Sequence, residues 1–224
     1  KKSKIKKGKE CLQINNLSFK PLDPFGVPIK NLNLKLHHRE IIGIGGVAGN
    51  GQEEFLSLLS GELKPTNGSL LLNGEDITKL SVVERRNKGL LSAPEERLGH
   101  AAVPSMSLTE NCLITAENRM KLSNKGFIDY KLSKKLSDEI IKKLDVRTGG
   151  SDALARSLSG GNLQKFVIGR ELIQSPKIFI VNQPTWGVDA AAASSIRQQI
   201  LDLAKDGTAV IVISQDLDEL LEIS

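Results

Sequence analysis

A short apolar run, Ile41 to Gly45, passes into the glycine-rich segment Gly46-Val47-Ala48-Gly49-Asn50-Gly51-Gln52-Glu53, and the chain then reads as a helix from Gln52 to Ser60. This order of strand, glycine turn and helix narrows the choice of fold more than any other feature of the chain. Its spacing is that of the phosphate-cradling loop G-x-x-x-x-G-K-[ST]. Glycines let the backbone curl until its N–H groups converge on an anion, and the helix N-terminus adds a partial positive charge. Two positions depart from the pattern. Gln52 stands where a lysine would reach phosphate, and Glu53 stands where a hydroxyl would hold magnesium. Glu53 and Glu54 also put negative charge into the first helical turn, where it satisfies the helix dipole and repels phosphate. Read by itself, the segment fits either a nucleotide loop or a plain glycine turn before an acid-started helix.

The rest of the chain repeats the alternation. Residues 11–18 and 30–36 alternate apolar and polar as half-buried strands do, with a proline- and glycine-rich loop, Pro21 to Pro28, between them. Ser69 to Leu72 followed by Asn73-Gly74 is a strand with a turn signal. From about 98 to 160 the strand runs vanish. Ser107-Leu108-Thr109-Glu110 fits a capping box opening a helix to Glu117, and Lys131 to Leu144 has helical spacing. The reading is an all-helical insert. The alternation then returns, with helices over 162–174 and 190–205 and strands over 177–181 and 208–214. Such a rhythm predicts an α/β fold with a mostly parallel sheet flanked by helices and an antiparallel β part near the start.

Composition removes several classes. The 224 residues are 39% apolar, enough for a real core, and no stretch of about 18 apolar residues is present to span a membrane. The net charge of +5 is concentrated at the start, where six of the first nine residues are lysine. Without them 25 basic side chains face 26 acidic ones, a net of −1. Residues 1–10 therefore read as a basic tail or solvated linker rather than a lipid or nucleic-acid tether, because no aromatic residue is interleaved and no helical face forms. Cys11 and Cys112 lie far apart without a metal-type cluster and read as reduced thiols. His37, His38 and His100 make no site by spacing. The chain begins with Lys rather than Met and is expected to be a segment of something longer.

A second glycine constellation is Leu158-Ser159-Gly160-Gly161-Asn162-Leu163-Gln164-Lys165, at the start of another helix. A hydroxyl, two glycines and a helix N-terminus suit an anion, although a Ser-Gly-Gly turn is also an ordinary helix cap. What makes it specific is the apolar strand Ile178-Phe179-Ile180-Val181 shortly after it, ending in Asn182-Gln183-Pro184-Thr185.

With these segments in order, the chain resembles the ABC transporter ATPases over residues 11–224. LSGGNLQK is similar to the family's signature motif. IFIVNQPTWGVD is similar to the Walker B strand and the following D-loop, which ends at Asp189. VISQD carries Gln215 at the switch position, and Ala93-Pro94-Glu95-Glu96-Arg97 sits at the Q-loop, with Glu95 nearest the usual glutamine. LSGGNLQK and the Q-loop are most similar to the second, C-terminal cassette of tandem ATPases that power sugar or nucleoside importers.

The resemblance implies a P-loop NTPase fold. It puts a RecA-like core at 11–97 and 165–224 and a helical subdomain at 98–164. Further strands would follow Ser224, so the cassette reads as C-terminally truncated. It implies ATP as ligand at Gly46, Gly49, Asn50, Gly51, Gln52, Glu53 and Glu54. It also implies that hydrolysis is impaired. Asn182 replaces the magnesium-holding aspartate, Gln183 the water-activating glutamate and Gln215 the switch histidine. With Gln52 and Glu53, five hydrolytic positions have changed. No general base and no standard magnesium ligand remains at this half-site, although Glu53 is a candidate ligand. This half is expected to be weakly active or inactive by itself.

The signature residues Ser159, Gly160, Gly161 and Gln164 are retained, and in ABC proteins each ATP lies between one cassette's loop and the other's signature. The expected partners are thus a second cassette, in the same parent polypeptide, transmembrane permease subunits and, indirectly, an extracytoplasmic substrate-binding protein. The expected location is the cytoplasmic face of the plasma membrane, with no nucleic-acid partner. Phe25 is the nearest candidate to stack on the base. Three rival readings stand beside this one: an independently active ATPase, an ABC protein acting on nucleic acid or ribosomes, and a structural pseudo-domain that dimerises without nucleotide.

Overall fold

The computed structural model describes residues 6–224, so Lys1, Lys2 and Lys4 of the basic tail lie outside the described residues. In chain order the elements are β1 (Glu10–Phe19), β2 (Ile29–His37), β3 (Ile41–Gly45), α1 (Gln52–Ser60), β4 (Asn67–Leu72), β5 (Glu75–Asp76), α2 (Val82–Lys88) and β6 (Leu90–Ala93). There follow α3 (Leu108–Met120), β7 (Ser123–Asn124), β8 (Phe127–Ile128), α4 (Tyr130–Lys143), α5 (Gly160–Leu172), β9 (Ile178–Asn182), α6 (Ala190–Lys205), β10 (Ala209–Ser214) and α7 (Leu217–Ile223). The chain divides into two compact units. One comprises the residues up to Ser92 with Pro176–Gln183 and Ile200–Ser224; the other comprises Ala93–Ser175 and Pro184–Gln199.

The first unit holds two sheets. One has the order β2-β1-β4-β5, with β1 antiparallel to both β2 and β4. The other has the order β3-β10-β9-β6, in which β10 lies parallel to both β3 and β9. Every residue of β9 and β10 is buried, which is why both read as unbroken apolar runs rather than alternating ones. Leu12, Ile14 and Leu17 from β1, Leu56 and Leu59 from α1, and Ile180 and Ile211 from the parallel sheet belong to one apolar cluster. The glycines of β3 answer a close packing. A Cβ on Gly43 would lie 3.1 Å from Leu220 of α7, and one on Gly45 would lie 2.9 Å from Leu217.

In the second unit α3 packs on α4, and α5 on both. Ser107 caps α3 in the reciprocal box with Glu110 that the sequence predicts. Gly169 lets α5 approach α4, since a Cβ there would fall 2.9 Å from both Ile140 and Leu144. Two features differ from the sequence reading. α5 packs within this unit, whereas the boundary read at 164 puts most of it in the core. The insert is also not purely helical, because β7 and β8 pair as a two-residue hairpin. Lys125 and Gly126 turn it at φ 50° and 83°, and Gly126 takes that conformation without a Cβ penalty. A strand pair this short leaves too little alternation to be read from sequence. Among the described residues, no helix is long and apolar enough to cross a membrane.

Candidate functional site

The glycine loop in the first unit is closed on itself. Gln52 Nε2 donates to the carbonyl of Val47 at 2.8 Å, and the backbone N–H of Asn50 donates to Gln52 Oε1 at 3.0 Å. Asn50 Nδ2 donates to the same Val47 carbonyl at 3.0 Å. The Gln52 amide thus lies across the loop, close enough to Gly46 that a Cβ there would meet Nε2 at 2.8 Å. Gly49 and Gly51 take φ 79° and 95°, the left-handed values that a phosphate-cradling turn needs. No side chain caps α1, and Glu53 and Glu54 stand in its first turn. Glu54 also accepts from the backbone N–H of Val27 at 3.0 Å, which ties the 20–28 loop to α1. Phe25 in that loop is 92% exposed, so its ring has no packing role.

At the ends of the parallel strands β9 and β10 stand Asn182, Gln183 and Gln215. Asn182 closes β9 and is buried, and its Oδ1 has no hydrogen-bond partner among the described residues. Gln183 is buried at φ 50°, with its backbone N–H donating to Ile213 at 2.8 Å. Its side-chain oxygen accepts from the backbone N–H of Gln215 at 3.4 Å. Gln52, Asn182 and Gln183 are all neutral amides, whereas magnesium takes hard, usually carboxylate, oxygens. Glu53 is the one carboxylate among Gln52, Glu53, Asn182, Gln183 and Gln215, and it is exposed. Among the described residues no group of three or more His, Cys, Asp or Glu is placed to hold a metal. This donor set does not fit a tightly held divalent ion.

The segment Leu158–Lys165 lies in the second unit. Ser159 is the N-cap of α5, and its hydroxyl oxygen accepts from Asn162 Nδ2 at 2.9 Å and from the Asn162 backbone N–H at 3.5 Å. Ser159 and Gly160 are exposed, and the first turn of α5 carries no acidic residue. The two helix N-termini are therefore opposite in character: that of α1 is neutralised by its own carboxylates, and that of α5 is not. Asp189 accepts from the backbone N–H of Ala192 at 2.9 Å, a bond that holds its carboxyl below the usual range. Glu95 lies near Arg97 and is half-buried.

Arg97 is the residue that sequence reasoning passed over. Its Nε donates to Gln164 Oε1 at 2.9 Å, and its Nη2 donates to the Trp186 carbonyl. The segment APEER carried the signal, but an arginine in a loop has no pattern that reveals its acceptors.

Comparison with known proteins shows the family and the fold. The family profile described as ABC transporter matches residues 29–186. The nucleoside import ATP-binding protein NupA of Lactococcus lactis subsp. cremoris is 35% identical over 95% of this chain and 42% of its own length. The ribose import ATP-binding protein RbsA of Clostridium tetani is 33% identical over 99% of this chain and 42% of its own length. The chain thus spans less than half of these relatives. The ATP-binding cassette MJ0796, in a dimeric post-hydrolysis state with ADP and Pi, superposes with TM-score 0.77 at 22% identity, covering 93% of this chain and 90% of that one. A nucleotide-free cassette from an ABC transporter superposes with TM-score 0.75 at 22% identity, over 96% and 85% of the two chains. The fold is that of the ABC cassette, a P-loop NTPase.

Proposed function

The chain belongs to the ABC transporter family, and from that premise we propose that it is a degenerate ATP-binding cassette of a sugar or nucleoside importer. Its role is to lend its signature to the ATP held by a partner cassette. The contrast between the two helix N-termini carries the reading. At α1 the loop is spanned by Gln52 and the helix charge is met by Glu53 and Glu54. At α5 Ser159, Gly160 and Gly161 open onto a first turn without acidic residues. A terminal phosphate is repelled by the first and attracted by the second.

On this reading the chain performs little hydrolysis of its own. Gln52 brings no charge to the β- and γ-phosphates, Asn182 and Gln183 neither hold a hard cation nor accept a proton, and Gln215 supplies no imidazole. Ser159 and the N–H groups of Gly160 and Gly161 reach the γ-phosphate of the other site, where fixed donors stabilise the charge that develops. The second cassette lies in the same parent polypeptide, consistent with relatives more than twice the length of this chain. The assembly works on membrane permease subunits at the cytoplasmic face, with substrate delivered by an external binding protein.

The test is the ATPase rate of the two-cassette parent with its membrane subunits, before and after Ser159→Arg. The bulky cation blocks the hydroxyl and glycine turn. A collapse in rate with folding intact supports signature donation. An unchanged rate overturns it and leaves the second reading, a pseudo-domain that dimerises without nucleotide, which the self-closed Gln52 loop favours.

A further inference from the structure

Arg97 occupies an unusual electrostatic position. Its guanidinium is half-buried, and desolvation lowers its pKa against the opposing effect of Glu95. Both its hydrogen-bond acceptors are neutral: the Gln164 side chain and the Trp186 carbonyl. It also lies against the positive end of α5, since a Cβ on Gly160 would meet Nη1 at 2.9 Å. A cation there gains nothing from the helix dipole. What it gains is geometry. Gln164, only 1% exposed, accepts from Arg97 through Oε1 and donates through Nε2 to the Pro184 carbonyl at 3.2 Å. The turn after β9 therefore hangs from α5 at two carbonyls, Pro184 through Gln164 and Trp186 through Arg97. Gly160 and Gly187 leave room for the guanidinium, whose nitrogens would lie 2.9 Å and 3.5 Å from a Cβ at those two positions.

We propose that Arg97 is a positioning residue that fastens the Pro184–Asp189 turn to the first two turns of α5. Signature and turn then meet the partner cassette as one edge. The planar fork of arginine suits this task because it serves two acceptors in fixed directions, which an ammonium does not. The service to the partner rests on the signature-donor reading, but the fastening itself does not.

Two measurements on this chain test the fastening without nucleotide. Trp186 is the only tryptophan, so its fluorescence anisotropy reports the motion of this turn. Amide exchange across residues 158–165 and 184–189 reports the other side of the link. In Arg97→Ala, anisotropy is expected to fall and exchange in both segments to quicken at least about tenfold, as loss of a charge-assisted hydrogen bond predicts. Arg97→Lys is expected to fall between, because it reaches only one acceptor. Gly160→Ala, which displaces the guanidinium rather than removing it, is expected to act in the same direction and covers the case in which Arg97→Ala does not fold. Unchanged anisotropy and exchange in a folded Arg97→Ala overturn the proposal, as does equal quickening across all of α3, α4 and α5. In the assembled parent, Arg97→Ala is expected to lower kcat for ATP hydrolysis with KM unchanged. If exchange quickens while neither Arg97→Ala nor Ser159→Arg alters turnover, the fastening stands and the donor reading fails.

Discussion

The backbone N–H of Gln215 donates to the side-chain oxygen of Gln183 at 3.4 Å, joining the residues that follow β9 and β10. A glutamate at 183 offers an oxygen to the same donor, so Gln183→Glu is expected to fold normally. It restores a general base without a lysine or a magnesium ligand. Groups that act as a unit do not add singly, and turnover by the chain is expected to rise less than about tenfold. The triple variant Gln52→Lys, Asn182→Asp, Gln183→Glu is expected to exceed the sum of its single changes. Phosphate release from each variant with MgATP checks both statements.

Nucleotide affinity is probed at a different residue. Gln52 spends both ends of its amide on the loop, on Val47 and Asn50. Gln52→Lys replaces that closure with a charge aimed at phosphate. A hydrogen bond to a charged group is worth about 1.5–3 kcal/mol, so ATP should bind roughly 10- to 100-fold more tightly. Isothermal titration reads this directly. An affinity that does not change would mean that Glu53 and Glu54, rather than the missing lysine, hold phosphate away.

These sites differ in how far the sequence discloses them. The glycine loop, the Ser159 cap and the strand ending at Asn182 were legible because each depends on local chemistry: a turn that needs glycine, a hydroxyl before a helix, an apolar run buried on both faces. The fully buried β9 and β10 were legible for the same reason. The closure of the loop by Gln52 was not, since a sequence names a side chain without saying where its amide points. Arg97 was missed because its acceptors lie 67 and 89 residues away in the chain. β7 and β8 were missed because two residues cannot display a period.

Both thiols are predicted to be inert in the folded chain. Burial pushes Cys112 up to about 12 and Cys11 up to about 11, so almost no thiolate exists near neutral pH. Cys11 also donates to the Leu36 carbonyl at 3.3 Å. Ellman's reagent at pH 8 should titrate neither residue until denaturant is added. Rapid labelling of either thiol in the native chain would contradict the burial described.

Glu40 gives the first unit an acid-sensitive contact. Its burial raises its pKa, but Lys7 at 2.5 Å and His37 at 2.8 Å outweigh that and hold the carboxyl below its ordinary value of 4.5. A depressed carboxyl contributes stability above its unfolded pKa and loses it as pH falls through the folded value. The midpoint of thermal unfolding should therefore drop on acidification below pH 4.5, and Glu40→Gln should flatten that limb. Lys7 is 63% exposed, so added salt should weaken the effect.

Arg85 should be the most costly cation to remove. It is 1% exposed and donates to the carbonyls of Leu58, Leu59, Thr78 and Leu80 at 2.6, 2.9, 2.9 and 3.1 Å. Leu58 and Leu59 lie in the last turn of α1, whose end carbonyls have no partner within the helix and carry its partial negative charge. Gly61 makes room there, since a Cβ would lie 3.0 Å from Arg85 Nε. Arg85→Ala leaves these acceptors unpaired in the interior, a loss of about 3–5 kcal/mol. For a domain of this size that lowers the unfolding midpoint by roughly 6–20 °C. Arg85→Lys should recover only part of it, because one ammonium cannot address four carbonyls that converge from the end of α1 and from the 78–80 loop. Differential scanning calorimetry of the two variants separates the cases. A lysine variant as stable as wild type would mean that charge at the helix end, and not the fork of donors, is what α1 requires.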